Sequence, residues 1–258
     1  MSDVTTADEF ADELWGIIGE ELSHLRDRNR FMKALFDGEL ERERMKLWAK
    51  QLFLLTRVGP RFLSSIHAHC DEFEACRWLV QNLYEEYGEM DEGRDHPSLC
   101  RNFGKALGMS VEELEAGPVL DCTQRFVDYA FEVTRTRHFT AALAAIGIAL
   151  EGVSAKGGPM LSYALRHHYK FGEDEIEFFT AHGEMDVDHS AKTLALVLRF
   201  ASTPELREGV RRAVREMTEK TLDWSVAVSE ICMGENQRGS GELRSADPTS
   251  AGDTRGAI

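Results

Sequence analysis

The residues best suited to chemistry in this 258-residue chain lie in three segments far apart in sequence, each carrying carboxylates or imidazoles. The first is Phe179-Thr-Ala-His-Gly-Glu-Met-Asp-Val-Asp-His189. His182, Asp186 and His189 stand at i, i+4 and i+7; at about 100° per residue they fall near 0°, 40° and −20°, roughly one stripe of a helix. Glu184 and Asp188 point away from that stripe. Two imidazoles and a carboxylate converging within two turns make a chelate for iron, zinc or manganese. The competing reading is a solvated polar face on an acidic protein. Ile176, Phe178 and Phe179 before the stripe, and Leu194 to Leu198 after it, predict a largely buried helix, and polar groups on a buried face need partners.

Glu151 is the second. It closes the run Ala141-Ala-Leu-Ala-Ala-Ile-Gly-Ile-Ala-Leu150, whose small apolar residues predict a helix buried on several sides. A carboxylate there is paired, binds a cation, or escapes to water if Gly152 opens a surface turn. The third is Asn82-Leu-Tyr-Glu-Glu-Tyr-Gly88, followed by His96. Glu85 and Glu86 share a predicted helix with Phe73, Trp78, Leu79 and Leu83. Ten residues is about 280° around a helix, so Glu86 and His96 converge only if the chain breaks at Gly88 and Gly93; Glu85 matches His96 on a continuous helix. Spacing leaves that choice open, and a solvated acidic loop competes with both.

Other arrangements are absent or weak. There is no H-E-x-x-H, glycine-rich phosphate loop or dinucleotide fingerprint. Ferritin-like bundles need two Glu-x-x-His motifs; Glu21-x-x-His24 is the single one here and reads as surface. His67 and His69, and the pair His167-His168, read as structural or solvent-facing.

The elements that must position these groups are helical. Phe10, Leu14, Ile17, Ile18, Leu22 and Leu25 recur at helical spacing, with Thr5 or Thr6 as cap. Further helices are predicted over about Glu39–Val58, restarting after Gly59-Pro60, and over Asp71–Tyr87, Pro97–Leu107, Val119–Thr134, Phe139–Gly152, Met160–Tyr169, Glu173–Ala201 and Pro204–Met233, with the prolines as boundaries. Period-two alternation and hairpin signals are missing. The expectation is an all-α domain of seven to nine helices over residues 1–233, with a disordered tail over 234–258, where Gly, Ser, Asn and Asp replace the apolar pattern.

Composition bounds the partners. Lys+Arg number 30 against 45 Asp+Glu, a net charge of −15, which argues against nucleic acid or an anionic membrane as the main partner. No uninterrupted apolar run approaches a membrane span, and the polar, acidic start is unlike a signal peptide. Five cysteines, an odd number without a C-x-x-C pair, argue against a disulfide framework and for the cytoplasm.

Taken together, these segments resemble the heme-oxygenase-like di-iron oxidase and oxygenase family, relatives of thiaminase II and pyrroloquinoline-quinone synthase. Asn29-Arg-Phe-Met-Lys-Ala-Leu-Phe-Asp-Gly-Glu-Leu40 and Leu47-Trp-Ala-Lys-Gln51 resemble the opening pattern, although a His-Pro-Phe usually precedes the helix and Asn29-Arg30-Phe31 stands here. Asn82-Leu-x-Glu-Glu-x-Gly88 with His96 resembles the first metal helix, Glu151 the lone carboxylate of the middle helix, and His182-x3-Asp186-x2-His189 the last metal helix. The likeness spans roughly Phe31 to Phe200. It implies a heme-oxygenase-like bundle holding two Fe(II) ions, one on Glu86, His96 and His182, the other on Glu151, Asp186 and His189, with Glu151 able to bridge. Glu85 remains the alternative to Glu86. Members without metal do not keep all six ligands.

The function this resemblance implies is an O2-dependent, non-heme di-iron oxidase or oxygenase acting on a small amino-acid-like metabolite, by desaturation, C–H functionalisation, cyclisation or fragmentation in specialised biosynthesis. N-oxygenation or a fatty-acid substrate are alternatives on the same site. A metal-free enzyme with Cys70, Cys76 or Cys122 as nucleophile, and a non-enzymatic helical binding protein, are further ones. The resemblance also implies a homodimer and allows an external electron donor. An amino-acid substrate needs a cation for its carboxylate, and Arg57, Arg135, Arg137 and Arg166 lie near predicted core helices.

Overall fold

A computed structural model describes residues 6–23 and 25–234. Thr5 as a cap, the surface placement of His24 and the expected tail over 235–258 lie outside the described residues. In chain order the helices are α1 (Ala7–Ser23), α2 (Leu25–Arg28), α3 (Arg30–Phe36), α4 (Arg42–His67), α5 (Phe73–Glu86), α6 (His96–Ala106), α7 (Val111–Glu115), α8 (Asp121–Thr136), α9 (Phe139–Leu143), α10 (Glu151–His167), α11 (Glu173–Phe200) and α12 (Pro204–Cys232). A π-helical segment, Ala144–Leu150, fuses α9 to α10, and a 3-10 turn, Gly88–Met90, follows α5. There is no strand among the described residues. The all-α expectation holds, with short α2, α3 and α7 added to the long helices.

Caps set several boundaries. Thr6 and Glu9 exchange hydrogen bonds at the start of α1, Thr6 Oγ1 accepting from the Glu9 amide at 3.2 Å and Glu9 accepting from the Thr6 amide at 2.8 Å. Asn29, standing where the resembling family has histidine, is buried as the N-cap of α3, accepting from the Met32 amide and donating to Ser225 Oγ at 2.9 Å. Asp95 caps α6 through the Ser98 amide.

Two expected breaks are corrected. Pro60 lies inside α4 and Pro159 inside α10, so Arg42–His67 and Phe139–His167 run on where punctuation is predicted. A proline in a helix interior removes one backbone bond; packing of both helices within the bundle outweighs it. Gly152 therefore opens no surface turn, and Glu151 stays inside the bundle. The run Phe139–His167 is long and apolar enough to cross a membrane by length and composition, but it carries Glu151, Lys156 and Arg166 and most of its apolar window is buried among other helices.

The core has two lobes. One surrounds the π segment, where Ala142, Ala144, Ala145, Ile148 and Ala149 pack against Phe10, Leu14, Phe62, Val210 and Met217. The other centres on aromatic rings: Trp48 stacks on Phe179 at 5.5 Å, and Phe103 meets Phe179 edge-on at 4.9 Å. That stack fixes the start of α11 against α4 and α6, one turn before the stripe that begins at His182.

Candidate metal centre

Four elements meet around the predicted ligands: the end of α5, the start of α6, the start of α10 and the middle of α11. Glu86 and His96 are joined although they are out of register on any continuous helix. The 3-10 turn does this with three successive left-handed residues, Gly88 (φ 64°), Glu89 (φ 55°) and Met90 (φ 66°). A side chain at Gly88 would lie 2.5 Å from the Arg94 carbonyl carbon, so only glycine fits that closure. Glu86 Oε2 then lies 2.9 Å from His96 Nδ1.

Glu85 also points inward. Its Oε2 lies 2.5 Å from His189 Nε2, while the other nitrogen of that ring, Nδ1, is 3.8 Å from Glu151 Oε2. Each of the two neighbouring glutamates thus lies against a different imidazole, Glu86 against His96 and Glu85 against His189. Trp78 packs its ring edgewise on His189 at 5.3 Å, and its indole N–H donates to Thr193 Oγ1 at 3.1 Å.

Glu151, Asp186 and His189 each offer a ligand atom within 4.8 Å of the others. The π segment explains how Glu151 gets there, because an i→i+5 turn resets the face that follows it, and such segments recur at functional sites. His182 keeps its helical place one turn before Asp186 in α11; its side chain lies outside the described side chains. Thus Glu86 with His96, and Glu151 with Asp186 and His189, are brought together as predicted.

The electrostatics of this cluster are those of a cation site. Glu151 Oε2 and Asp186 Oδ2 are buried with no hydrogen-bond partner, and so is Asn82 Oδ1. Burial, then Asp186 and Glu86 nearby, push the Glu151 carboxyl well above the usual range, while the Asn82 side chain pulls the other way. Burial and Glu86 push Asp186 up as well. Burial works against a charged His96, yet the Glu86 carboxylate outweighs it and raises the imidazole. Among the described residues no lysine or arginine pairs with Glu151 or Asp186. Buried carboxylates in this state are costly unless a cation is added. The donor set, imidazole nitrogen with carboxylate oxygen, fits iron.

Sequence reading passed over Asn82 as a site residue. It is 2% exposed and lies within hydrogen-bonding reach of Glu151. Its signal was present, since it precedes Glu86 by one helical turn. Two of the three candidate thiols fit a nucleophilic role poorly: burial pushes Cys70 up to about 11, and Cys122 is raised by burial too, while Cys76 is half-buried. Among the remaining histidines, His69 Nδ1 donates to the Ser65 carbonyl at 2.8 Å, and His167 stacks on Tyr163 at 4.0 Å, which agrees with their structural reading.

The chain matches the iron-containing redox enzyme family over residues 46–220. It is 31% identical over 196 residues to a 4-aminobenzoate synthase of Chlamydia trachomatis serovar D, covering 73% of this chain and 79% of that protein. It is 28% identical over 213 residues to a 4-aminobenzoate synthase of Chlamydia muridarum, covering 81% of this chain and 86% of that protein. Among solved structures, a domain of unknown function with a heme oxygenase-like fold from Shewanella denitrificans superposes with a TM-score of 0.76 at 14% identity, over 88% of this chain and 96% of that one. A TenA homologue from Pseudomonas syringae superposes with a TM-score of 0.72 at 14% identity, over 90% and 97% of the two chains. The fold is heme-oxygenase-like. This chain belongs to the iron-containing redox enzyme family, and it is an oxidoreductase.

Proposed function

We propose that this protein is a non-heme di-iron enzyme that uses O2 to oxidise a small amino-acid-like metabolite in a biosynthetic pathway. The observation that carries this reading is the pair of unpartnered buried carboxylate oxygens, Glu151 Oε2 and Asp186 Oδ2, grouped with His189 in one pocket. Glu86, His96 and His182 would hold one iron, and Glu151, Asp186 and His189 the other, with Glu151 able to reach both. Bound ferrous iron would supply activation of O2 and the removal of electrons from the substrate.

The residues around the ligands have separate tasks. Glu85 takes the Nε2 of His189 and so leaves Nδ1 facing Glu151; a carboxylate behind an imidazole fixes its orientation and raises its basicity. Asn82, buried beside Glu151, favours its charged form, and Glu151 Oε2 has no hydrogen-bond partner. Trp78 packs edge-on against His189 and Phe178 against His96, so both imidazoles have an aromatic wall on one side. Glu151 and Asp186 can each hold a proton in the absence of metal and release it on binding, so loading is coupled to proton release.

The substrate class rests on likeness. The Chlamydia relatives are named for making 4-aminobenzoate, which carries an amine and a carboxylate, as an amino acid does. The buried, high-pKa cysteines favour the metal over the thiol reading. The test is anaerobic loading with Fe(II), metal analysis, then exposure to O2 with a panel of free amino acids while oxygen consumption and products are followed. Two irons per chain and substrate-dependent oxygen consumption are expected. A chain that retains no iron, or whose activity survives exhaustive chelation, would overturn the reading.

A further inference from the structure

Next to the cluster, a cavity of about 250 Å³ opens between α4, the end of α5 and the start of α6, and Glu86 forms part of its lining. Four arginines stood as anchors for a substrate carboxylate, and three of them are placed or engaged elsewhere. Arg166 makes two bonds to Glu173, at 2.5 and 2.7 Å. Arg137 pairs with Glu216 at 2.6 Å. Arg135 lies over the Phe131 ring at 4.1 Å on α8, a helix that contributes nothing to the cluster.

Arg57 is the one that shares a cavity with Glu86. The second guanidinium in that lining, Arg101, is held by Glu115 at 2.9 Å and donates to Ser98 Oγ at 3.3 Å. Arg57 makes no ion pair among the described residues; its guanidinium sits 5.9 Å from the Phe53 ring, with Arg101 5.2 Å from the same ring. A guanidinium free to bond is suited to two parallel bonds with a carboxylate.

The same lining offers acceptors for the opposite charge. Asp95, whose two oxygens already accept from the Ser98 amide and hydroxyl, and Glu86 bring carboxylates. Thr56, buried in α4, also lines it, as does Pro60, which has no N–H to give the Thr56 carbonyl. One small volume therefore holds guanidinium groups beside carboxylates, the complement of a zwitterion.

We infer that Arg57 anchors the substrate's carboxylate and that this cavity receives a compact α-amino acid, its ammonium group turned toward the Thr56 carbonyl and the Asp95 carboxylate. The inference deepens the proposed function and rests on its placement of a metal centre at Glu86. It names a binding residue for the substrate and makes the free carboxylate a condition of recognition.

The test is binding, read apart from turnover. A mixture of the twenty proteinogenic L-amino acids is screened against the full chain, anaerobically iron-loaded, by saturation-transfer NMR. The best binder and its carboxamide are then titrated by calorimetry into wild type, Arg57→Gln, Arg57→Lys and Arg135→Gln. Expected are binding of at least one amino acid, at least a tenfold loss with the carboxamide or with Arg57→Gln, partial retention in Arg57→Lys, and no change in Arg135→Gln. Iron content and Tm should match wild type throughout. Binding of no amino acid, equal binding by Arg57→Gln, equal binding of the carboxamide, or the same loss in Arg135→Gln would overturn the inference. Arg57-dependent binding in a chain that holds no iron would sink the metal reading and leave the anchor standing; iron retained with Arg57-independent binding would do the reverse.

Discussion

Glu86 Oε2 and His96 Nδ1 lie 2.9 Å apart across a ten-residue separation that no continuous helix could close. The contact depends on the left-handed turn at Gly88, Glu89 and Met90. Backbone held in this region by non-glycine residues is costly and is retained where the surroundings demand it. Here it delivers an imidazole to a carboxylate beside a buried group of acids.

That acid group sets the first prediction. Asp186→Asn keeps the shape of the side chain and removes a buried charge that crowds Glu151 and Glu86. The metal-free variant should denature at a higher temperature than the metal-free wild type, and its iron content should fall from two per chain to one or none. Calorimetry and metal analysis on the same preparation check both parts.

The second concerns pH. Glu151 and Asp186 have folded pKa values raised above their ordinary 4.5 and 3.8, and His96 is raised above 6.5. All three bind protons more tightly when the chain is folded, so the folded state carries more protons and its stability falls as pH rises. For the carboxyls the loss begins as pH climbs through their ordinary range and continues toward their elevated folded values. For His96 the contribution is complete below the ordinary imidazole range and disappears as pH passes the raised folded value. Chemical denaturation of metal-free protein from pH 4 to pH 8 should show this decline, and saturating Fe(II) under anaerobic conditions should flatten or reverse it.

Asn82→Ala removes the buried amide that favours the charged form of Glu151. Loss of a group that orients a metal ligand costs about 10–100-fold in metal affinity. Competition with a chelator of known affinity should show a weakening in that range, with the helical circular dichroism signal unchanged.

Gly147→Ala tests the π segment. The added Cβ would meet Thr193 at 2.5 Å from Oγ1 and 2.8 Å from Cγ2, and Thr193 accepts the Trp78 indole bond behind His189. Overpacking of this kind costs about 1–3 kcal/mol. Urea unfolding should register that loss, and iron affinity should fall with it, because the displaced Thr193 side chain and Trp78 bear on His189.

The thiols provide a check on the metal-free alternative. Burial pushes Cys70 up to about 11 and Cys100 and Cys232 up to about 12, and it raises Cys122. A disulfide reagent at neutral pH should therefore label at most one thiol per chain rapidly, Cys76, with iron content unchanged.

Much of this was legible in the sequence because it depends on local periodicity. The stripe Asp186 and His189 follows from helical spacing, and the apolar run before Glu151 announces its burial. The all-helical architecture follows from the same patterns. What escaped depends on tertiary context. Pro60 and Pro159 read as breaks, yet packing carries α4 and α10 through them. The π segment has no spacing signature, so the direction of Glu151 could not be read. Glu85 and Glu86 read as alternatives because helical spacing matches Glu85 to His96 while Glu86 needs a chain break; the break is there, and α5 ends between two imidazoles. Asn82 lay one turn before Glu86, but an amide carries no charge to mark it.

The most direct measurement is anomalous diffraction at the iron absorption edge from crystals of the full chain loaded anaerobically with Fe(II). The account predicts two peaks per chain, one against Glu86 and His96 and one against Glu151, Asp186 and His189. A well-loaded crystal with no peak in that pocket, or with iron bound elsewhere on the surface, would contradict it.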